Sequence, residues 1–171
     1  MHNGADDNAL GVAGLLELAQ YFSNNDGKEP YNFVFMAFDA EELGLQGSRY
    51  FLNNPTKPLD KLHFMVCMDM TGQYNPNRGI KIGGYNTSDT WPTVFKGVES
   101  SIKFFTDRAS NGGSDNAAFY GQQIPVLFIH TGGHADYHKP TDDPEKIDAI
   151  AEEVILQLET KLLGMPYNNP K

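Results

Sequence analysis

The chain has 171 residues, 40% hydrophobic and 20% charged, with a formal net charge of −9. This composition fits one globular domain, and the acidic balance argues against a surface for nucleic acid or anionic membranes. No apolar run approaches the ~18 residues of a membrane span, and the single cysteine, Cys67, excludes an internal disulfide and a cysteine-rich zinc module.

The first part of the chain alternates helix and strand signals. Apolar residues recur at helical spacing over residues 9–22, which predicts a helix with Asn8 as its N-cap. The nearly unbroken apolar run at residues 33–38 predicts a strand that is buried on both faces. A short helix over residues 48–52 and a second buried strand over residues 62–68 are expected to follow.

The second part of the chain continues this alternation and ends in an amphipathic helix. The patterns predict strands at residues 80–82, 103–106 and 124–130 and helices at residues 93–102 and 117–120. The final helix is expected over residues 145–163, with an apolar stripe formed by Ile147, Ile150, Val154, Leu158 and Leu162. Residues 165–171 are expected to form a flexible tail.

Strands that alternate with helices in this way indicate an α/β domain with a largely parallel sheet. We find no internal repeat and no linker-like segment, and we therefore expect residues 1–171 to form a single domain.

Side chains able to bind a metal follow the strongest predicted strands. Glu41 and Glu42 follow the first strand, Asp69 follows the second, and His138 lies in the loop after residues 124–130. The carboxyl ends of parallel strands meet at one edge of a sheet. Oxygen and imidazole ligands without thiolates suit zinc, manganese or cobalt, and a second carboxylate could act as general base. A capping, turn or solvated role remains open for each residue taken alone.

Five short segments occur in a fixed order: GADDNA from Gly4, FDAEELGLQGS from Phe38, MDMTG from Met68, GSDN from Gly113 and YHKPTD from Tyr137. Together they resemble the motifs of the co-catalytic zinc exopeptidases of the bacterial leucyl aminopeptidase type, which are related to glutamate carboxypeptidase and glutaminyl cyclase. The resemblance runs from about residue 3 to residue 163. It implies a three-layer sandwich, with helices on both faces of a largely parallel central sheet.

The resemblance also implies a role for individual residues. Asp6 would bridge two zinc ions and be joined to Asp7 by a cis peptide bond. Glu42 and Asp69 would each bind one zinc ion, and His138 would complete a coordination shell. Glu41 would be the general base that takes a proton from metal-bound water, so that metal-bound hydroxide attacks the peptide carbonyl.

A further group is implied to surround the metal ligands or to line the substrate pocket, with helix capping and core packing as the alternatives: Asp7, Ser114, Asp115, Phe119, His134 and Tyr137. Asp142 or Asp143 could orient a loop or a ligand imidazole.

The family has another zinc-binding histidine, in a His-x-Asp motif upstream of the segment that resembles GADDNA. These 171 residues contain no counterpart, and His2 is not equated with it because it lies on a glycine-containing loop. We therefore expect a truncated domain that lacks its first strands, binds one zinc ion or binds zinc weakly, and has little activity. A signal peptide in the missing part would place the protein in the periplasm or outside the cell.

The activity that the resemblance implies is that of a zinc-dependent aminopeptidase acting on peptides. Two alternatives remain open: a glutaminyl cyclase, which is an acyltransferase with a similar site and a single zinc ion, and a non-catalytic, receptor-like relative. The continuation EELGLQGS after Ala40 looks more like the peptidases.

Overall fold

The computed structural model describes residues 2–26, 29, 31–108 and 112–167. Its regular elements are α1 (Leu10–Ser23), α2 (Gln46–Asn53), β1 (Met65–Met68), β2 (Ile80–Gly83), α3 (Trp91–Phe95), β3 (Phe104–Thr106), α4 (Asn116–Tyr120), β4 (Val126–His130) and α5 (Ala149–Leu163). A π-helical turn over Ala5–Ala9 leads into α1, and 3₁₀ turns cover Leu59–Lys61 and Pro144–Lys146.

The four strands form one sheet in the order β1-β4-β2-β3. β1 runs parallel to β4, with Met65 opposite Val126, and β2 runs parallel to β3. The two pairs meet through an antiparallel contact between β2 and β4. The α/β class predicted from the sequence is confirmed, and the sheet is mixed because of this one junction.

Helices cover both faces of the sheet, as the three-layer expectation requires. On one face, α5 places Ile155 and Leu158 against Ile82 and Ile129 of the sheet, and α1 packs beside α5. On the other face, α2 and α4 form a smaller core around Phe119. The central strand β4 is therefore buried on both sides, which explains why it is almost entirely apolar, whereas Lys81 of β2 is exposed.

Residues 33–38 differ from the prediction because they form no strand pairing. They are extended, but no backbone hydrogen bond joins them to another described residue. Their side chains are packed only in part: the Phe33 ring lies 4.2 Å from that of Phe22, and the Phe38 ring lies 6.0 Å from that of Phe119. None of the six residues is fully buried, and Val34 and Phe35 are 44% and 37% exposed. The predicted burial on both faces is therefore also wrong, because a buried strand requires neighbouring strands as well as an apolar pattern.

Two predicted boundaries are also corrected. The helix expected over residues 93–102 ends at Phe95, because Lys96 is extended and Gly97 has a positive φ of 87°. The expected tail does not begin at residue 165, because Tyr167 is buried and its ring lies 4.7 Å from those of Phe64 and Trp91. Residues 168–171 of that predicted tail lie outside the described residues.

The buried face of α5 contains two carboxyl groups that the predicted stripe did not include. Ile150, which was assigned to the stripe, is 79% exposed, whereas Glu159 is only 1% exposed. Burial raises the pKa of Glu152 to about 7, although the Thr71 hydroxyl opposes this shift. Burial also raises the pKa of Glu159 well above its usual range, and the neighbouring Glu152 raises it further.

We expect Glu152→Gln to stabilise the protein at pH 8 but to have little effect at pH 4. The folded-state pKa of about 7 lies above the ordinary value of 4.5, so the unfolded chain releases this proton at lower pH than the folded chain. Wild-type stability therefore falls as pH rises between these two values. The expected gain at pH 8 is about 2–3 kcal/mol, measured by urea unfolding.

The matched control is Glu153→Gln, because Glu153 is the exposed neighbour on the same helix. Its stability should change equally at both pH values. Equal stabilisation of the Glu152→Gln variant at pH 4 and pH 8 would contradict the assignment of a raised pKa.

Candidate metal centre

An acidic cavity lies where the loop after Phe38 and the carboxyl end of β1 meet the start of α1. Its volume is about 340 Å³. Apolar side chains such as Val12 and Met36 form one part of its wall, and the polar part consists of Asp7, Asn8, Glu41, Glu42, Asp69, Ser114 and Asp115. The structure thus brings together side chains that were predicted to share one edge of the sheet.

Asp7, Glu42 and His138 form the tightest cluster at this site. The Nε2 atom of His138 lies 3.2 Å from Oδ2 of Asp7 and 2.8 Å from Oε1 of Glu42. One ligand atom from each residue lies within 4.8 Å of the others. His138 and Glu42 are about half exposed, so a solvent ion can reach these atoms. Two carboxylates and an imidazole at this separation can bind one divalent cation.

Asp6 does not take part in this cluster, which corrects its predicted role as a metal ligand. Its side chain is fully buried, Oδ1 accepts a hydrogen bond from the Gly72 N–H at 2.6 Å, and Oδ2 lies 3.0 Å from Nε2 of His134. Both oxygen atoms therefore face the protein interior. The structure places Asp7 where Asp6 was expected, and the cis peptide bond joins Asp7 to Asn8 rather than Asp6 to Asp7.

Asp69 lies at the end of β1 and lines the cavity without belonging to the tight cluster. Burial raises the pKa of Asp69 to about 7; the Ser114 hydroxyl opposes this shift, whereas Asp7 and Glu41 add to it. Its Oδ1 atom is buried and has no hydrogen-bond partner among the described residues. A buried carboxylate oxygen without a partner is costly unless a cation or a proton compensates it.

Glu41 lies beside the cluster and also faces the cavity. Burial raises the pKa of the Glu41 carboxyl, and the nearby carboxylates of Glu42, Asp115 and Asp7 raise it further. Burial likewise raises the pKa of Asp115, against an opposing hydrogen bond from Ser48. Several carboxylates thus repel one another in a small volume, and a bound cation would relieve this repulsion.

Left-handed backbone conformations position several of these side chains. Ala40, directly before Glu41, has a φ of 51°; Met70, directly after Asp69, has a φ of 58°; and His138 itself has a φ of 57°. Such values are uncommon for residues other than glycine and often occur at functional sites. These left-handed residues lie at or next to Glu41, Asp69 and His138, a feature that the apolar and charge patterns do not reveal.

Two further residues hold the loop that carries Asp7. The buried Asp142 carboxylate accepts hydrogen bonds from the N–H groups of Asp6 and Asp7 at 3.0–3.1 Å. Asn8 donates to the Met68 carbonyl at 2.9 Å, which connects the loop to the end of β1. Asp142 therefore has the loop-orienting role for which the sequence left Asp142 and Asp143 as alternatives. Ala9 rather than Asn8 is the N-cap of α1, although Asn8 Oδ1 accepts a hydrogen bond from the Gly11 N–H at 3.2 Å.

We expect Asp142→Asn to weaken metal binding by about 10–100-fold, because groups that orient metal ligands typically have effects of this size. An asparagine presents only one acceptor oxygen to two N–H groups, so the Asp7 backbone loses a charged anchor. Zinc titration calorimetry would measure the change. The control is Asp143→Asn, since Asp143 interacts with the Asn3 side chain instead. Similar losses in both variants would contradict the role of Asp142.

The remaining predicted residues differ in how close they lie to the cluster. Ser114 is buried beside Asp69, and the Tyr137 ring lies 3.8 Å from that of His138. His134 contacts Asp6 rather than the cavity. Phe119 is fully buried between Phe38 and Phe51 in the core, so its assignment to the substrate pocket is corrected to core packing.

An α/β domain that gathers carboxylates and a histidine at the ends of its strands has the organisation of a metal-dependent hydrolase. Comparison with known families makes this specific. The model of peptidase family M28 matches residues 1–161, and the chain belongs to this family. The resemblance to zinc exopeptidases inferred from the motif order is thereby confirmed.

Curated relatives agree with this assignment. The chain is 34% identical over 149 residues to leupeptin-inactivating enzyme 1 of Streptomyces exfoliatus. The alignment covers 84% of this chain and 32% of that protein. It is 30% identical over 139 residues to leucine aminopeptidase 2 of Trichophyton rubrum. This alignment covers 75% of this chain and 28% of that protein. The chain thus spans about a third of the length of these relatives.

Solved structures share the fold. A zinc aminopeptidase from Bacillus subtilis superposes with a TM-score of 0.77 at 22% identity, covering 94% of this chain and 42% of that one. The LapA aminopeptidase of Legionella pneumophila gives a TM-score of 0.76 at 20% identity, and the superposition covers 97% of this chain and 48% of that one. Among the described residues, no helix is both long and apolar enough to cross a membrane.

Proposed function

We propose that this chain forms the catalytic core of a zinc-dependent aminopeptidase. The observation that carries the proposal is the cluster of Asp7, Glu42 and His138, with Glu41 beside it in the same cavity. The names of the relatives support the same activity, since leucine aminopeptidases occur among the curated proteins and a zinc aminopeptidase occurs among the solved structures.

The donor set fits zinc. Three protein ligands of oxygen and nitrogen type leave an open position, as catalytic zinc sites require. Asp69, whose Oδ1 has no hydrogen-bond partner among the described residues, is proposed as a ligand of a second ion beside the first. When bound, zinc lowers the pKa of a coordinated water and polarises the substrate carbonyl.

The protein's own groups would bind the substrate and move the proton. Glu41 is proposed to take a proton from the attacking water and to pass it to the amine that leaves. The acidic lining of the cavity favours the positively charged amino terminus of a peptide over a terminal carboxylate. This charge preference supports cleavage from the amino end, in agreement with an aminopeptidase.

The proposal can be tested with aminoacyl chromogenic substrates, on this chain and on the full-length protein, with and without added zinc. We expect zinc-dependent hydrolysis by the full-length protein and weaker activity from the 171 residues. Full-length protein that contains no zinc and gains no activity when zinc is added would overturn the proposal in favour of a non-catalytic relative. Cyclisation of a glutaminyl peptide without hydrolysis would instead indicate a glutaminyl cyclase.

A further inference from the structure

A row of four side chains crosses the four strands of the sheet, starting at the candidate metal centre. Lys81 of β2 pairs with His130 of β4 on one side and with Phe105 of β3 on the other. The β1–β4 ladder extends one residue past β1, because the Asp69 N–H donates to the Ile129 carbonyl. Asp69 therefore stands beside His130. We call Asp69, His130, Lys81 and Phe105 the cross-strand row.

The four side chains of the cross-strand row share one face of the sheet, because paired residues of neighbouring strands point to the same side. Asp69 lies beside Ser114, in the loop before α4. Along β2, Lys81 alternates with Ile80 and Ile82, which pack on the α5 side. The row therefore lies on the face of α2 and α4.

The glycine-rich loop before α4 connects the row with the acidic cavity. The His130 ring stacks on the Phe128 ring at 4.5 Å and an angle of 17°. A Cβ atom on Gly113 would lie 3.1 Å from the same Phe128 ring, so the loop packs directly on it. The next residues of this loop, Ser114 and Asp115, line the cavity. A peptide that leaves the cavity on this side would pass onto the row.

The charge reverses along the row. The cavity end carries the Asp69 carboxylate, whereas the far end carries the ammonium groups of Lys81 and Lys103. Lys81 is exposed, and the Lys103 Nζ atom lies 4.6 Å from the centre of the Phe105 ring, which is itself 45% exposed. Neither lysine forms a salt bridge with another described residue. Two ammonium groups beside an exposed ring are thus available to an anion.

His130 separates the two ends of the row and is mainly uncharged at neutral pH. Burial lowers the pKa of the His130 imidazole, and Lys81 lowers it further, whereas Asp107 opposes the shift. Asp107 is thus a carboxylate near the far end, where it stands against the two charges of Lys81 and Lys103. The far end keeps a net positive charge in a chain whose net charge is −9.

We propose that the far end of the row, formed by Lys81, Lys103 and Phe105, binds a carboxylate of the peptide substrate about three residues from its amino end. Neighbouring strands are ~4.8 Å apart, so two spacings place Lys81 about 10 Å from Asp69. An extended chain advances ~3.3–3.6 Å per residue, so the charges at the two ends of a tripeptide span a similar distance. The inference rests on the proposed peptidase function, in which the acidic cavity holds the amino end. It narrows the substrate class to short peptides and to peptides with an acidic third residue.

Peptide binding to the Glu41→Gln variant, measured by calorimetry in the presence of zinc, tests this inference without turnover. The peptide Leu-Gly-Gly is compared with its carboxyl-terminal amide, which lacks the carboxylate. We expect the acid to bind about 5-fold more tightly than the amide, and the difference should shrink when the salt concentration is raised. The amide of Leu-Gly-Glu, whose only carboxylate is a side chain, distinguishes the two sources of the charge. If it binds more tightly than Leu-Gly-Gly amide, an acidic third residue also occupies the site.

Matched variants in the same background make the outcome decisive. Lys81→Gln should reduce the acid-to-amide ratio to below about 2, whereas Lys81→Arg, which keeps the positive charge, should retain most of it. Lys161→Gln is the control and should keep the original ratio, because the Lys161 Nζ atom donates to the Glu99 carbonyl instead.

The inference and the proposed activity fail in different ways. Equal binding of the acid and both amides, or a ratio that survives Lys81→Gln, would overturn the inference and leave the proposed activity intact. Absence of zinc-dependent hydrolysis by the wild-type protein would contradict the proposed activity instead, and the binding ratios would still decide the role of Lys81.

Discussion

Replacing Asp7 with asparagine is expected to weaken zinc binding by more than about 100-fold. Asp7 provides one of the three ligand atoms of the cluster with Glu42 and His138. Removal of a group that merely orients a ligand already costs about 10–100-fold, so removal of the carboxylate charge from a ligand should cost more. Zinc titration calorimetry against a competing chelator would measure the affinity.

Asp6→Asn is the informative comparison, because it changes the adjacent residue in the same way. Asp6 interacts with the Gly72 N–H and with His134 rather than with the cluster. We expect this variant to lose about 1–3 kcal/mol of stability, as when a buried hydrogen-bonding group loses its partner, and to keep more of its zinc affinity than Asp7→Asn. A larger loss of zinc affinity in Asp6→Asn would restore the role first predicted for Asp6.

The exchange of Asp6 for Asp7 shows what motif order can and cannot specify. The ordered segments correctly indicated that an aspartate in GADDNA would lie at the site. They could not distinguish two adjacent aspartates, because that choice depends on the backbone conformation around the Asp7–Asn8 bond and on the anchoring of both N–H groups by Asp142. Asp142 is 135 residues away in sequence from Asp7, so no local pattern contains this information.

The elements of the fold were predictable to different degrees for a similar reason. β4 was predicted because a buried central strand is apolar on both faces, and β1, an edge strand of the described sheet, has the same apolar pattern. Residues 33–38 show the same apolar pattern, but strand formation also depends on a neighbouring backbone that these residues do not have in the described part of the chain. On α5, Glu159 was missed because burial raises the pKa of this carboxyl well above its usual range, and a pattern that treats every glutamate as charged does not show this.

Glu41→Gln is expected to lower the rate of the proposed aminopeptidase reaction by ~10²–10⁴-fold while zinc affinity stays nearly unchanged. Glutamine has almost the same shape but cannot accept a proton, so the variant lacks the proposed general base. Glu41 lines the cavity beside the cluster without being one of its three members. The metal ligands should therefore remain in place when Glu41 is changed.

Asp39→Asn is the matched control, because Asp39 belongs to the same acidic turn and is exposed. It should retain the wild-type rate, whereas Glu42→Gln should lose zinc and activity together. The separation of rate from zinc content is the decisive measurement, since a general base affects the chemical step and a ligand affects occupancy. If Glu41→Gln loses zinc, then Glu41 is a ligand. If its rate is unchanged, the proton is taken by another group, and the division of roles between Glu41 and Glu42 is wrong.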